Sequence, residues 1–471
     1  MGEFKVKTAK RILEWVKQKA EVTLLWLDDK SEVLRVCQWL YETQNKKLIR
    51  DAIGKDLKMD FSKMTLSPLD CAVLGSVISC CGELEELNRS ESNLTPECIR
   101  RLTPGLICCR RVKMTSCDVT ADCCSALYST LSAPQSRLTE LDLSNNELGD
   151  SGVIELCKGL RSENCKLEKL WLFDCHLASR SCSFLSSALC SPHSRLTELD
   201  LSDNSLEDSE MDQLCEGLRS ENCKLEKLRL AICHLTSRCC SALSSALSSP
   251  NLRLTELDLR ANQLEDSGMV LLCEGLRSEN CKVKKLWLSE CGLTSRCCSA
   301  LSKVFSSPNS RLTELELGKK ESIMDQNINK LEDSGVAELC EGLRSENCKL
   351  EKLNLSDCGL TSRCCSALSS ALSTPHSRLT ELDLSSNNME DSGVDQLCEG
   401  LRSENCKLEK LSLSECGLTS TCGSFLSSVI SSPHSRLTEL DLSGNRDFGD
   451  SDIAELCEGL RSENCKLEKL R

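Results

Sequence analysis

Aromatic side chains are scarce in this chain, with 5 Trp, 2 Tyr and 7 Phe among 471 residues. An interior without large rings must be filled by smaller apolar groups, here Leu, Ala, Val and Cys. Proline is also thin, at 9 residues, and none precedes Pro68. Helical periodicity in the first stretch is therefore uninterrupted. No apolar run approaches the roughly 18 to 20 residues that a membrane-spanning helix needs. Met1 to Arg11 lead into a Lys-rich amphipathic stretch, not an apolar signal core, so a cytoplasmic location is expected. The chain has no GxxxxGKS or GxxxxGKT phosphate loop, so no nucleotide is expected to bind it. It has no CxxC pair of zinc spacing and only 5 His. No metal site, cofactor site or catalytic residue is expected, and the chain reads as a non-enzyme.

What is abundant is acid and cysteine. The formal net charge is -14, yet residues 1–64 carry 14 Lys and Arg against 10 Asp and Glu, so the net negative charge lies beyond them. An acidic body repels nucleic acid and anionic lipid and attracts a protein partner, a basic one in particular. Thirty-six cysteines would suggest a disulfide scaffold in a short secreted chain, but in a long cytoplasmic one they read as reduced packing residues. Doublets such as Cys239-Cys240, Cys297-Cys298 and Cys364-Cys365 fall in predicted helices. Adjacent helical side chains diverge by about 100°, so only one of each pair is expected to face the core.

Self-similarity dominates the rest. Leu138-Thr139-Glu140-Leu141-Asp142-Leu143-Ser144-Asn145-Asn146-Glu147-Leu148 fits LxxLxLxxN/CxL, and 29 residues later Leu167 to Leu177 fits it again. The second leucine then recurs with the same step from Leu141 to Leu440, apart from one step of 38 between Leu315 and Leu353. The nine extra residues are placed at about Gly318 to Ile328, in the loop leaving the strand. Two unit types alternate. One carries Asn or a substitute in the N/C slot and a helix such as Ser151 to Leu160, with Val153, Leu156, Cys157 and Leu160 on one face. The other carries Cys in that slot, at Cys175, Cys233, Cys291, Cys358 and Cys416. Each unit is a short strand plus a helix that cannot bury its apolar side alone, so neighbours must stack into a solenoid.

This alternation, with phrases such as Cys348-Lys349-Leu350-Glu351-Lys352-Leu353 and Asp391-Ser392-Gly393-Val394, resembles the ribonuclease-inhibitor type of leucine-rich repeat. The same repeats form the C-terminal sensor of NOD-like receptors. The resemblance implies an α/β horseshoe with a parallel sheet inside and helices outside. Ile12, Trp15 and Val16, then Leu34, Cys37 and Leu40, have helical spacing. The phrases Val36 to Gln44 and Leu66 to Leu74 resemble the segment that joins the nucleotide-binding NACHT module to the repeats. Residues 1–79 are thus expected to be that helical linker and residues 80–471 the repeats, the last one cut short at Leu470-Arg471. The chain reads as a partial receptor, a truncated product or an incomplete gene model.

For recognition, two columns of the strand matter. Before the second leucine, Glu140, Lys169, Glu198, Lys227, Glu256 and Lys285 alternate in sign and go on doing so to Glu439. On parallel strands about 4.8 Å apart this is a ladder that satisfies itself. Between the two central leucines the first unit type is acidic throughout, from Asp142 to Asp441, whereas the second reads Trp171, Arg229, Trp287, Asn354 and Ser412. Phe173, Arg260 and Ile232 break the pattern of the neighbouring columns. Trp and Arg on an exposed sheet anchor protein interfaces. Trp171, Phe173, Arg229, Ile232, Arg260 and Trp287 are therefore the candidate ligand-binding residues, for a protein or microbial ligand on the concave face. The alternative is a free inhibitor of a basic enzyme, as ribonuclease inhibitors are.

Overall fold

A computed structural model describes residue 11 and residues 30–53, 57–319, 326–448 and 450–471. The helix expected around Ile12, Trp15 and Val16 lies outside them. The described part begins with helices Lys30–Glu42 and Lys46–Ala52. The first buries Cys37 and Leu40, two of the periodic positions. The second is capped by Asn45, whose Oδ1 accepts from the Leu48 amide at 3.0 Å.

The chain divides into two compact units. One comprises 1–206 with 216–225, the other 207–215 with 226–471. In the first, β1 (Lys58–Asp60), β2 (Leu84–Asn88), β3 (Cys109–Lys113), β4 (Glu140–Asp142), β5 (Lys169–Trp171) and β6 (Glu198–Asp200) pair parallel in chain order. In the second the same holds for β7 (Lys227–Arg229), β8 (Glu256–Asp258), β9 (Lys285–Trp287), β10 (Glu314–Glu316), β11 (Lys352–Asn354), β12 (Glu381–Asp383), β13 (Lys410–Ser412), β14 (Glu439–Asp441) and β15 (Lys469–Leu470). A helix or helical turn follows nearly every strand, so the fold is an α/β leucine-rich-repeat solenoid. The sheet starts before residue 80: β1 and the helix Pro68–Cys81 already make one strand–helix unit. Its short strand, Lys58-Met59-Asp60, lacks the leucine spacing of the later copies, which is why periodicity missed it.

Registers are set by leucine. In β8 and the turn after it Leu257, Leu259 and Leu264 are each 0% exposed, and full burial of a leucine is worth roughly 2 kcal/mol. The outer helices contribute the expected stripe, with Val153, Leu156, Cys157 and Leu160 all buried in helix Gly149–Leu160. Adjacent helices approach so closely that a Cβ at Gly275 would stand 2.7 Å from the Ser244 carbonyl oxygen.

Between the layers the chain turns back through buried backbone, whose polar groups need partners. Asn146, Asn204, Asn262, Asn329, Asn387 and Asn445 supply them. The Asn262 Oδ1 accepts from the Cys233 and Leu235 amides at 3.0 Å each, and its Nδ2 donates to the Leu230 and Leu259 carbonyls at 2.8 and 2.9 Å. The cysteine slot works more weakly: the Cys291 thiol donates to the Leu259 carbonyl at 3.2 Å. A third set staples the helix starts, as where Asp266 accepts from the Thr294 amide at 2.8 Å and hydroxyl at 2.5 Å.

Two sequence expectations need correction. Both members of the cysteine doublets are buried, with Cys239 at 2% and Cys240 at 0% exposed. The first closes a 3-10 turn, Ser237–Cys239, and the second opens the α-helix Cys240–Leu247, so the 100° rule for one continuous helix does not apply. The loop also starts later than Gly318. The Gly318 amide donates to the Asn354 carbonyl at 3.0 Å and Lys319 to that of Ser356 at 3.1 Å, while the Asn327 carbonyl accepts from Gly292 at 2.8 Å. In the repeat that starts at Leu84, Arg89 occupies a leucine slot and is 0% exposed. Its Nη1 donates to the Phe61 and Met64 carbonyls at 2.8 and 3.2 Å, while Nε and Nη2 have no partner among the described residues. Burial pulls its pKa below the ordinary arginine value.

Candidate functional site

Strands of three residues present one side chain to each face in turn. The central leucine of each strand points to the helices, and the residues on either side of it point to the open face. The column before it is the charge ladder. Lys169 meets Glu140 at 3.0 Å in the first unit. In the second, Glu256 lies 3.4 and 3.7 Å from Lys227 and Lys285, and the alternation runs on through Glu314, Lys352, Glu381, Lys410 and Glu439 to Lys469. Glu381 and Glu439 together hold the Lys410 pKa above its usual value. Every described lysine of the ladder has a carboxylate neighbour, so this column has little left to offer a ligand, and each exposed pair is worth at most about 1 kcal/mol.

The column after the leucine divides by unit type, and the structure supplies the reason. Asp142, Asp200, Asp383 and Asp441 each turn Oδ1 back onto the amide two residues on, at 3.0, 2.9, 3.0 and 3.0 Å. These are Asx turns that end the strand. The uniform acid of the first type thus has a local structural task, legible in the spacing Asp-x-Ser but not recognised there. Trp171, Arg229 and Trp287 have no side-chain carbonyl or carboxylate for such a turn, whereas Asn354 of the same unit type makes it, accepting from the Ser356 amide at 2.8 Å.

Of the six candidate residues, Trp171 and Phe173 belong to the first unit and Arg229, Ile232, Arg260 and Trp287 to the second. Trp171 stands in register between Asp142 and Asp200, half-buried, with its indole N–H donating to Glu198 Oε1 at 3.2 Å. That bond fixes the ring over the sheet. Phe173 is half-buried two residues on. In the second unit Arg229, Asp258 and Trp287 lie side by side in register. Arg260 is committed to this acid: Nε and Nη2 fork onto the Asp258 carboxylate at 2.9 and 2.7 Å, and Nη1 lies 3.9 Å from Glu316. Arg260 therefore braces the strand beside Trp287 instead of standing out from it.

Ile232 has a different character. Its φ is +53°, in a column of left-handed residues otherwise filled by Asn145, Asp174, Asp203, Ala261, Glu290, Asp357, Ser386, Glu415 and Gly444. A β-branched residue there is strained, by roughly 1–2 kcal/mol. The neighbouring left-handed position explains the Cys-His pairs: His176 and His234, at +56° and +55°, stand where later copies have Gly292, Gly359 and Gly417.

In the second unit the open face of β9 to β15 forms a groove of about 420 Å³, with Trp287 at one end and Arg471 at the other. All 36 cysteines carry free thiols, and all but six are buried. Among the described residues no helix is long and apolar enough to cross a membrane.

Comparison with known proteins agrees with this architecture. A leucine-rich-repeat family model matches residues 137–157, 251–273, 346–369, 377–398 and 435–457, and a second matches 195–216. "NACHT, LRR and PYD domains-containing protein 3" of Macaca mulatta is 38% identical over 472 residues, 98% of this chain and 38% of that protein. Human "NACHT, LRR and PYD domains-containing protein 5" is 37% identical over 304 residues, 64% of this chain and 20% of its own. The ribonuclease inhibitor of Sus scrofa is 39% identical over 320 residues, 67% of this chain and 54% of the inhibitor. The chain spans well under half the length of the NACHT relatives it matches. With its ordered parallel strands, asparagine-bridged turns and near full-length similarity, it belongs with the leucine-rich-repeat regions of the NOD-like receptors, and its repeats are of the ribonuclease-inhibitor type.

Proposed function

We propose that the chain is a cytosolic, non-enzymatic recognition and regulatory module of the NOD-like receptor kind, which takes a protein or microbial ligand on the open face of its sheet. Residues 1–79 are read as the link to a nucleotide-binding module and residues 80–471 as the sensor, with nucleotide, nucleic acid and membrane outside its own binding repertoire. The observation that carries this reading is Trp171 in the first unit and, in the second, Arg229 and Trp287. These side chains occupy strand positions where the alternate repeats use Asp for a turn, and both rings are half-exposed on a hydrogen-bonded sheet. Rings already held in place lose little entropy on binding.

The test compares the wild type with Trp171→Ala, Trp287→Ala and Glu256→Ala, by pull-down and then titration against the captured partner. Loss of either ring should cost about 2 kcal/mol or more, with thermal stability unchanged. Glu256→Ala, in the self-paired ladder, should stay within about 1 kcal/mol. Equal affinity of all four would remove the open face from consideration. A second reading, free inhibition of a basic enzyme, draws on the similarity to the pig ribonuclease inhibitor. A ribonuclease inhibition assay on the purified chain separates the two, since a sensor should leave the enzyme active.

A further inference from the structure

Resting on the reading of the open face as the binding surface, we infer that the groove of the second unit takes an unfolded basic segment, in polyproline conformation, with a cationic side chain at every third residue. Trp287, Glu316, Asn354, Asp383, Ser412 and Asp441 stand in register on six successive strands. Carboxylates therefore recur on every second strand, about 10 Å apart at the parallel spacing. The Glu–Lys ladder beside them cancels within itself, so this column supplies the sign of the groove. Asp383 and Asp441 spend Oδ1 on their turns, which leaves the second oxygen of each for a cation.

The 10 Å step selects the occupant. A polyproline helix advances about 9.3 Å per three-residue turn and presents every third side chain on one side. A β-strand turns residues i and i+3 to opposite faces, and so cannot use both. An α-helix returns to one face at about 10 Å only at i and i+7, and a proline-rich probe, which cannot form one, tests the three-residue spacing by itself. The first cation lies over the Trp287 ring, held chiefly by cation–π attraction because Arg260 already stands 3.9 Å from the neighbouring Glu316, and the next reaches Asp383. The third meets Asp441, which is in register with Arg471 by the pairing of β14 and β15, so its contribution is the smallest.

The probes are three labelled nine-residue peptides, RPPRPPRPP, RRRPPPPPP and EPPEPPEPP, titrated by fluorescence anisotropy against the whole chain in 150 mM salt. The spaced arginine peptide should bind at least about tenfold tighter than the contiguous one, and the acidic peptide should not bind. Trp287→Ala and Asp383→Asn should each weaken the spaced peptide about tenfold. Asp441→Asn should weaken it less. Glu399→Gln, on the outer helix, changes net charge equally and should have no effect beyond about twofold. Equal affinity for both arginine peptides would reduce the effect to general charge attraction and overturn the inference. If neither peptide binds while a captured folded partner still depends on Trp171 or Trp287, the inference fails and the open-face reading stands. If the spaced peptide binds as described but capture of the partner ignores both tryptophans, the open-face reading fails instead.

Discussion

Replacing Asn262 by Ala removes one side chain whose four shortest hydrogen bonds serve backbone groups in two neighbouring repeats. Its Oδ1 holds the amides of Cys233 and Leu235, and its Nδ2 the carbonyls of Leu230 and Leu259, in a site 1% exposed. Each buried group left without a partner costs about 1–3 kcal/mol. Four such groups, partly relieved by water entering the space left by the amide, give an expected loss of about 4 kcal/mol in local stability. A global melting curve would dilute this, because stacked repeats need not unfold as one unit. The measurement is native-state thiol labelling read cysteine by cysteine in a mass spectrometer. The thiol of Cys233 should label about a thousandfold faster than in the wild type, at 1.4 kcal/mol per decade, while distant Cys416 keeps its rate. Asn262→Asp keeps the acceptor but turns an oxygen toward two carbonyls. Burial and those carbonyls raise its folded pKa above the unfolded value of about 3.9, so its penalty should be small below pH 4 and grow as pH rises above it. If Cys233 in Asn262→Ala labels within tenfold of the wild-type rate, the asparagine bridge is not what holds the turns.

Three further outcomes are expected. Burial pushes the thiols of Cys157, Cys340 and Cys398 up to about 12 from an ordinary 9.0. The unfolded chain then loses protons first, so stability should be flat from pH 6 to 8 and fall between about pH 9 and 12; a urea midpoint that holds steady across that upper window would contradict the burial. Gly318→Ala would bring a Cβ to 2.1 Å from the Ser356 nitrogen, and should cost about 3 kcal/mol or more, seen as faster labelling of Cys358; an unchanged rate would show that the approach is looser. Ile232→Asn relieves a left-handed β-branched residue and should stabilise by about 1 kcal/mol, read as slower labelling of Cys233, and a faster rate would mean that the isoleucine side chain packs more than it strains.

The repeat was legible because it needs only one-dimensional information. A leucine at a fixed step, an alternating N/C slot and a stripe at i, i+3, i+4 and i+7 specify strand, turn and helix before any contact is known. The charge ladder was legible for the same reason, since parallel in-register stacking turns a sequence period into a spatial column. Less was visible where a residue's task depends on local geometry finer than the period. The acid of Asp-x-Ser was visible only as a uniform column and is a turn residue, and the fork of Arg260 onto Asp258 has no sign in the spacing. The cysteine doublets misled because a 3-10 turn meets an α-helix between them.

By itself the sequence determined the repeated unit, its parallel stacking and the identity of the divergent column, since all three follow from hydrophobic and charge periodicity along the chain. Only the tertiary structure decided which polar groups remain for a ligand. A hydrogen bond depends on distances of a few tenths of an ångström and on backbone dihedrals, and neither is encoded in spacing: the strain at Ile232, the fork of Arg260 and the turns of Asp383 and Asp441 exist only once the strands are laid side by side.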